Sequence, residues 1–381
     1  MLSERAGSHS FTLSDDSMSS YYTFEPTPIC KIEIKPDEEL LCLLANTQRE
    51  IGLLEGSCRY IGSIENIINL VIKKEAIASC KIDDNNRLSI LDLLMQPKQR
   101  SKKIKPVQNH IDALNYGVDK LKSTELSNKI IFSAHKILME HKHETEIIGA
   151  VRKKQTIIGD YMVTIKGTPT YNPPDPDIVE DCMVDIQNYI KREDSIDALI
   201  KTALLHYQLE VVHPFESGNG KIGRIVIALF LQESKILSHA MLPISEFLEI
   251  NKVEYFDRLK AVYNSGNYEQ WIKFFLTMLF LSANIMNKQI GKAMRLRKKN
   301  LGIIDGSAKD KKYLNNAYHY AEKTICFDVA SLADGIGVSY NTAARVARIM
   351  TDAGILNLLK EQTRNKIYLY SDLLDVMEIM N

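Results

Sequence analysis

The sequence has no Cys-x-x-Cys pair: its six cysteines, at positions 30, 42, 58, 80, 182 and 326, lie far apart. That spacing excludes a zinc finger and suits free thiols in a reducing compartment better than a disulfide framework. An excess of either charge is also missing. Lys plus Arg and Asp plus Glu number 48 each, so no chain-wide attraction to polyanions exists and only local basic patches remain to be weighed. Long apolar runs are absent too. The longest mostly apolar stretch, Phe274 to Met286, has 13 residues, short of the roughly 20 that span a bilayer, and reads as a buried helix. Residues 1–29 are Ser-rich, mix Glu4 and Arg5 with Asp15 and Asp16 and hold no apolar signal-peptide segment, so they read as a flexible tail. These absences point to a cytoplasmic chain without a membrane partner.

What is present is an ordinary globular balance, 45% hydrophobic and 25% charged, which predicts a folded chain rather than a disordered one. At 381 residues it exceeds what one core serves, so two or three domains are expected. From Pro36 to Met95 the pattern is helical, with Ile64, Ile67, Ile68, Val71 and Ile72 recurring as one buried face. Pro97 to Lys105 is basic and unpatterned, a solvated connection, and helix resumes at Ile111. Thr156 to Ile158 and Met162 to Ile165 are β-prone pieces around Gly159 and Asp160, which favour a tight turn, so a hairpin is expected there. Pro173, Pro174 and Pro176 then bar helix until Asp177. In His141-Lys-His143-Glu144 the two histidines, two residues apart, do not share a helix face, so the run reads as a solvated loop rather than a metal site. Arg295 to Lys299 and Gly302 mark a further boundary.

The chemistry concentrates between two helical stripes, Leu199 to Val211 and Ile222 to Phe230. Gly218, Asn219 and Gly220 open the second helix and let its backbone amides converge on one point, an anion site suited to phosphate. Lys221 and Arg224 add two cations in the first turn. They oppose the helix dipole, so a bound anion would account for them. His213, at the end of the preceding helix, can accept a proton from an incoming hydroxyl. A Walker-type loop is excluded, because Phe215 stands where its first Gly should be and Ile222 where Ser or Thr should follow the Lys.

The segment from His213 to Arg224 resembles the Fic family motif, His-Pro-Phe-x-Asp/Glu-Gly-Asn-Gly-Arg-x-x-Arg. Ten of those twelve positions, the free ones included, are met. Gly149 to Gln155 with the hairpin looks like the family's target-docking flap, with Gln155, Thr156, Ile157 and Ile158 at its centre; Tyr171 to Pro174 and Leu242 to Phe275 look like the following turn and last core helices. The resemblance implies a mainly α fold: a Fic-type helical core with an inserted β-hairpin flap, a helical N-terminal region and a small C-terminal winged helix. It also implies an organisation of tail (1–29), N-terminal helical region (30–105), core (106–290) and winged-helix domain (300–381). The activity implied is protein adenylyltransfer. His213 deprotonates a target hydroxyl, Phe215 anchors the loop, Gly218, Asn219 and Gly220 with Lys221 hold phosphates, and Arg224 meets the terminal phosphate of ATP.

Two positions depart from the family pattern. Ser217 replaces the carboxylate that binds Mg or Mn, which leaves the metal to Ser217 itself or to Glu216 through a water. Lys221 replaces an Arg, keeping the charge and losing the bidentate fork. Upstream, Ser79 to Asp84 resembles the family's inhibitory motif, Ser/Thr-x-x-x-Glu-Gly/Asn, with Asp83 in the place of the Glu that pairs with the last Arg; the other reading is an ordinary surface acid. The rivals to adenylyltransfer are a degenerate nucleotide-binding regulator and transfer of another phosphate-containing group.

At the C-terminal end, Asp328 to Leu358 reads as helix-turn-helix, and Lys366 to Tyr370 alternates as a strand would. Asn341, Arg345 and Arg348 share a face of the second helix, with Arg364 and Lys366 on the wing. Asp334, Asp352 and Glu361 dilute that charge, so DNA and a domain or dimer contact through residues 328–370 both stand as readings.

Overall fold

The structure, a computed structural model, describes residues 4–13, 20–60, 64–84, 86–95, 103–140, 147–156, 171–306, 310–360 and 366–378. The expected flap hairpin with Ile157 and Ile158, the connection from Pro97 to Lys102, His141 to Glu144, and Arg364 lie outside the described residues. The chain is mainly helical. It divides into two compact units, the first Met1–Gly56, Val71–Arg87 and Ser101–Ala283, the second Ser57–Leu70, Leu88–Arg100 and Asn284–Asn381.

In the first unit, β1 (Gly7–Leu13) pairs antiparallel with β2 (Ser20–Pro26). The expected tail is therefore corrected for these residues. Phe24 is buried against Tyr171 and Tyr263, its N–H donates to the Asn172 carbonyl at 2.9 Å, and Arg5 forms an ion pair with Glu269 at 2.6 Å. A Ser-rich composition hides such a strand, because what holds it is aromatic partners far along the chain rather than local pattern.

Helices follow: α1 (Glu38–Tyr60), α2 (Ile64–Asp84), α3 (Ile90–Met95), α4 (Lys105–Leu121), α5 (Asn128–Met139), α6 (Pro176–Lys191), α7 (Ala198–Val212), α8 (Asn219–Glu233), α9 (Ile244–Ile250), α10 (Lys252–Ser265) and α11 (Tyr268–Asp305). α1, α2 and α11 each give residues to both units, so the N-terminal helices expected as a region of their own are shared out. α4 begins six residues before the expected Ile111, with Pro106 in its first turn, where the missing N–H does no harm. α11 runs straight through Arg295 to Gly302 instead of breaking there. A lone Gly inside a helix costs about 1 kcal/mol relative to Ala, which a 38-residue helix absorbs.

α7 forms the axis of the first unit. Asp197 caps it, its carboxylate accepting from the Leu199 N–H at 2.8 Å, and its buried residues lie on every side, as a helix surrounded by others requires. α8 packs on α7, α4 and α5.

The second unit contains α12 (Lys311–Thr324), β3 (Cys326–Asp328), α13 (Val329–Ile336), α14 (Tyr340–Asp352), β4 (Asn357–Lys360), β5 (Ile367–Leu369) and α15 (Ser371–Met377). The sheet order is β3-β5-β4, all antiparallel. Gly337 at φ 66° ends α13, and the Ser339 side chain caps α14 by accepting from the Thr342 N–H. Asn341, Arg345 and Arg348 are exposed on α14 as expected, and Arg345 forms an ion pair with Asp310 at 3.0 Å.

Candidate active site

The loop between α7 and α8 is built from its backbone outward. His213 ends α7 in the left-handed region, φ 48° and ψ 60°, with its N–H on the Leu209 carbonyl at 3.1 Å. A non-glycine residue there stores roughly 1 kcal/mol or more and needs its surroundings to hold it. Arg152 does this. Fully buried, it donates through Nε to the His213 carbonyl at 2.8 Å and through its terminal nitrogens to the carbonyls of Lys154 and Pro174, while its own N–H reaches the Pro214 carbonyl at 2.8 Å.

His135 holds the other side. The Gly149 N–H donates to its Nδ1 at 3.0 Å, so Nε2 carries the proton and donates to the Ser217 carbonyl at 2.9 Å. Its ring stacks on Phe215, 3.8 Å between centroids, and Phe132 meets the same Phe215 edge-on. Asn219 closes the loop on itself, Oδ1 accepting from the Phe215 N–H and Nδ2 donating to the Phe215 carbonyl, both at 2.9 Å. Its side chain is thus taken up in shaping the loop. Gly218 has φ 78°, and a Cβ there would come within 2.5 Å of the Met139 sulfur, so only glycine serves.

At the start of α8 the cations are already matched. Arg224, nearly fully buried, donates through Nε to the Ser79 hydroxyl at 2.8 Å, and through one terminal nitrogen to the Ser79 carbonyl at 3.0 Å and the Asp83 carboxylate at 2.7 Å. The Asp83 carboxylate lies about 3.1 to 3.2 Å from where a Cβ on Gly220 would stand, against the first turn of α8. Lys221 forms an ion pair with Asp84. Ser79 and Asp83, expected as inhibitory residues, therefore sit on the expected arginine. Behind it, the Tyr255 hydroxyl hydrogen-bonds His206 Nε2 at 2.9 Å, and Glu210 packs against Gly223.

The electrostatics follow from burial. Burial would lower the pKa of the Arg224 guanidinium, but Asp83, Tyr255 and Glu210 around it raise it above its ordinary value. Burial pushes Glu210 up to about 7 in spite of Arg224. It pushes half-buried His213 down to about 4, opposed by the backbone at Glu210, so the imidazole is neutral at pH 7.

The donor set does not fit a resident divalent cation. Ser217 offers a neutral hydroxyl where a carboxylate would be wanted, and Glu216, the other expected ligand, is turned away to accept the Ile147 N–H at 3.0 Å. Among the described residues no group of three or more His, Cys, Asp or Glu is gathered for a metal. Of the flap residues, Gln155 donates to the carbonyls of Thr156 and Pro173. Sequence reasoning missed the anchoring roles of Arg152 and His135 and the pairing of Asp84.

Residues 125–231 match the Fic/DOC family model, and residues 41–119 match the model of the Fic/DOC family N-terminal region. The chain carries a Fic domain. It is 37% identical over 70 residues to a probable protein adenylyltransferase of Aquifex aeolicus, covering 18% of this chain and 22% of that one. It is 25% identical over 152 residues to the protein adenylyltransferase fic-1 of Caenorhabditis elegans, covering 39% of this chain and 26% of that one. These matches span about a quarter of the relatives' length. The crystal structure of a Fic family protein from Desulfovibrio desulfuricans superposes with a TM-score of 0.55 at 17% identity, covering 88% of this chain and 97% of that one, which shows that the two share a fold. The Fic fold accounts for the mainly helical core around α7 and α8.

Proposed function

We propose that the Fic domain transfers AMP from ATP to a side-chain hydroxyl of a target protein. The observation that carries this reading is the carboxylate of Asp83 seated between Arg224 and the first turn of α8, because a site that holds one anion on a buried guanidinium beside a helix N-terminus suits a phosphate. His213 takes the proton from the hydroxyl, whose oxygen attacks the α-phosphorus; pyrophosphate leaves, its charge met by Lys221 and Arg224. Release of α2's acids must precede this. The six free cysteines support a reducing compartment, the cytoplasm, and no helix among the described residues is long and apolar enough to cross a membrane.

The test is incubation with α-labelled ATP and Mg²⁺ or Mn²⁺: label on the chain or a partner supports transfer, and its absence in every variant described below contradicts it. One observation favours a second reading, a nucleotide-binding regulator without transfer: neither Ser217 nor Glu216 is fit to hold a resident cation. Ser217→Asp separates the two, raising metal-dependent turnover about tenfold or more if the missing carboxylate limits the reaction. An unchanged rate refutes that account of Ser217. The α13, α14 and β3-β5-β4 arrangement reads as a winged helix. Because Asp310 neutralises Arg345, a protein or dimer contact through residues 328–370 is favoured over DNA.

A further inference from the structure

Two departures from the Fic pattern face each other. Lys221 stands where the family has Arg, and Asp84 where its inhibitory motif has Gly or Asn; in this structure the two form an ion pair. The Lys221 side chain is 3% exposed and Asp84 41%. A lysine that deeply buried needs a counter-charge, and among the described residues Asp84 is the acid that supplies it. Asp83 and Asp84 are also consecutive at the end of α2, so one helical turn delivers two carboxylates to the two cations of the cradle.

We propose that Asp84 is a second competitor for the phosphates, so that the last turn of α2 stands in for two of them and the brake has two latches instead of one. This rests on the nucleotide reading above. A polyphosphate must displace both carboxylates to gain both cations, and removing Asp83 alone leaves Lys221 pinned. Lys221 is then a phosphate-binding residue whose availability Asp84 sets, and the site favours ligands with enough negative charge to replace two acids.

The experiment is calorimetric titration of the full chain with a non-hydrolysable ATP analogue, comparing wild type, Asp83→Gly, Asp84→Asn and the double variant, with Asp84→Gly as a second form of the same deletion. Asp84→Asn is expected to tighten binding about three- to tenfold, and the double variant to bind more tightly than either single one. If Asp83→Gly tightens binding while both Asp84 variants leave it unchanged in either background, the second latch is refuted and the nucleotide reading stands. If none of the proteins binds the analogue, both fall together.

Discussion

α8 begins with Lys221 and Arg224, and α2 ends with Asp83 and Asp84. Each helix end therefore carries the sign of charge that its own dipole disfavours, by about 0.3 to 1 kcal/mol for an exposed residue. Together the two ends cancel: both cations of α8 find their acids on α2. The contrast with the capped ends elsewhere is instructive. Asp197 on α7 and Asp328 on α13 satisfy their own helices through N–H groups two or three residues on, Asp197 also accepting from the Gln48 side chain at 2.6 Å. A pair of ends that is poor separately and good together suits a contact that another anion can replace.

Several changes would break or sharpen this contrast. His213→Ala should lower the transfer rate about 10²- to 10⁴-fold, the usual worth of a general base, while titration with an ATP analogue stays unchanged. Equal losses in both would mean that the imidazole belongs to the anion cradle rather than to the chemistry. Arg152→Met would leave the carbonyls of His213, Lys154 and Pro174 without their buried donor and should destabilise the chain by about 2 to 4 kcal/mol in urea denaturation. A loss below about 0.5 kcal/mol would show that the left-handed turn at His213 holds itself. Asp83→Gly should raise nucleotide affinity about tenfold, with labelling following; no change in either would make Asp83 an ordinary acid.

The smallest effect is one of pH. Burial pushes His110 and His206 down to about 3, with Arg224 lowering both further and Lys221 also acting on His110. The folded chain keeps them neutral while the unfolded chain takes up protons below its ordinary 6.5. Their contribution is thus complete above pH 6.5 and drains away as pH falls toward 3, about 1 kcal/mol for each histidine between pH 7.5 and 5.5. His110→Phe should remove its share of that slope in denaturation curves at the two pH values. An undiminished slope would mean that His110 is free to charge beside the two cations.

The loop proposed as the cradle was legible in the sequence because its residues are contiguous: His213 to Arg224 carries the proposed base, the glycines and both cations within one turn and the start of α8, between two apolar stripes. The groups that hold it were not. Arg152 lies in a loop without period, and His135 sits on the apolar face of α5, where a histidine reads as core. Asp84 follows the position that the inhibitory motif singles out, and local spacing cannot say that it reaches a lysine 137 residues away. β1 and β2 were hidden for a related reason, since strand pairing and the aromatic contacts of Phe24 are long-range. The boundary expected near Gly302 failed because basic residues and one glycine are compatible with a long helix, and α11 simply continues.

The most direct test is a crystal structure of the chain with a non-hydrolysable ATP analogue bound. The account predicts phosphate oxygens within hydrogen-bond distance of the Gly220 amide, Lys221 and Arg224, with Asp83 and Asp84 displaced and His213 facing the α-phosphorus. An analogue bound elsewhere, with the Asp83 to Arg224 pair intact, would contradict it.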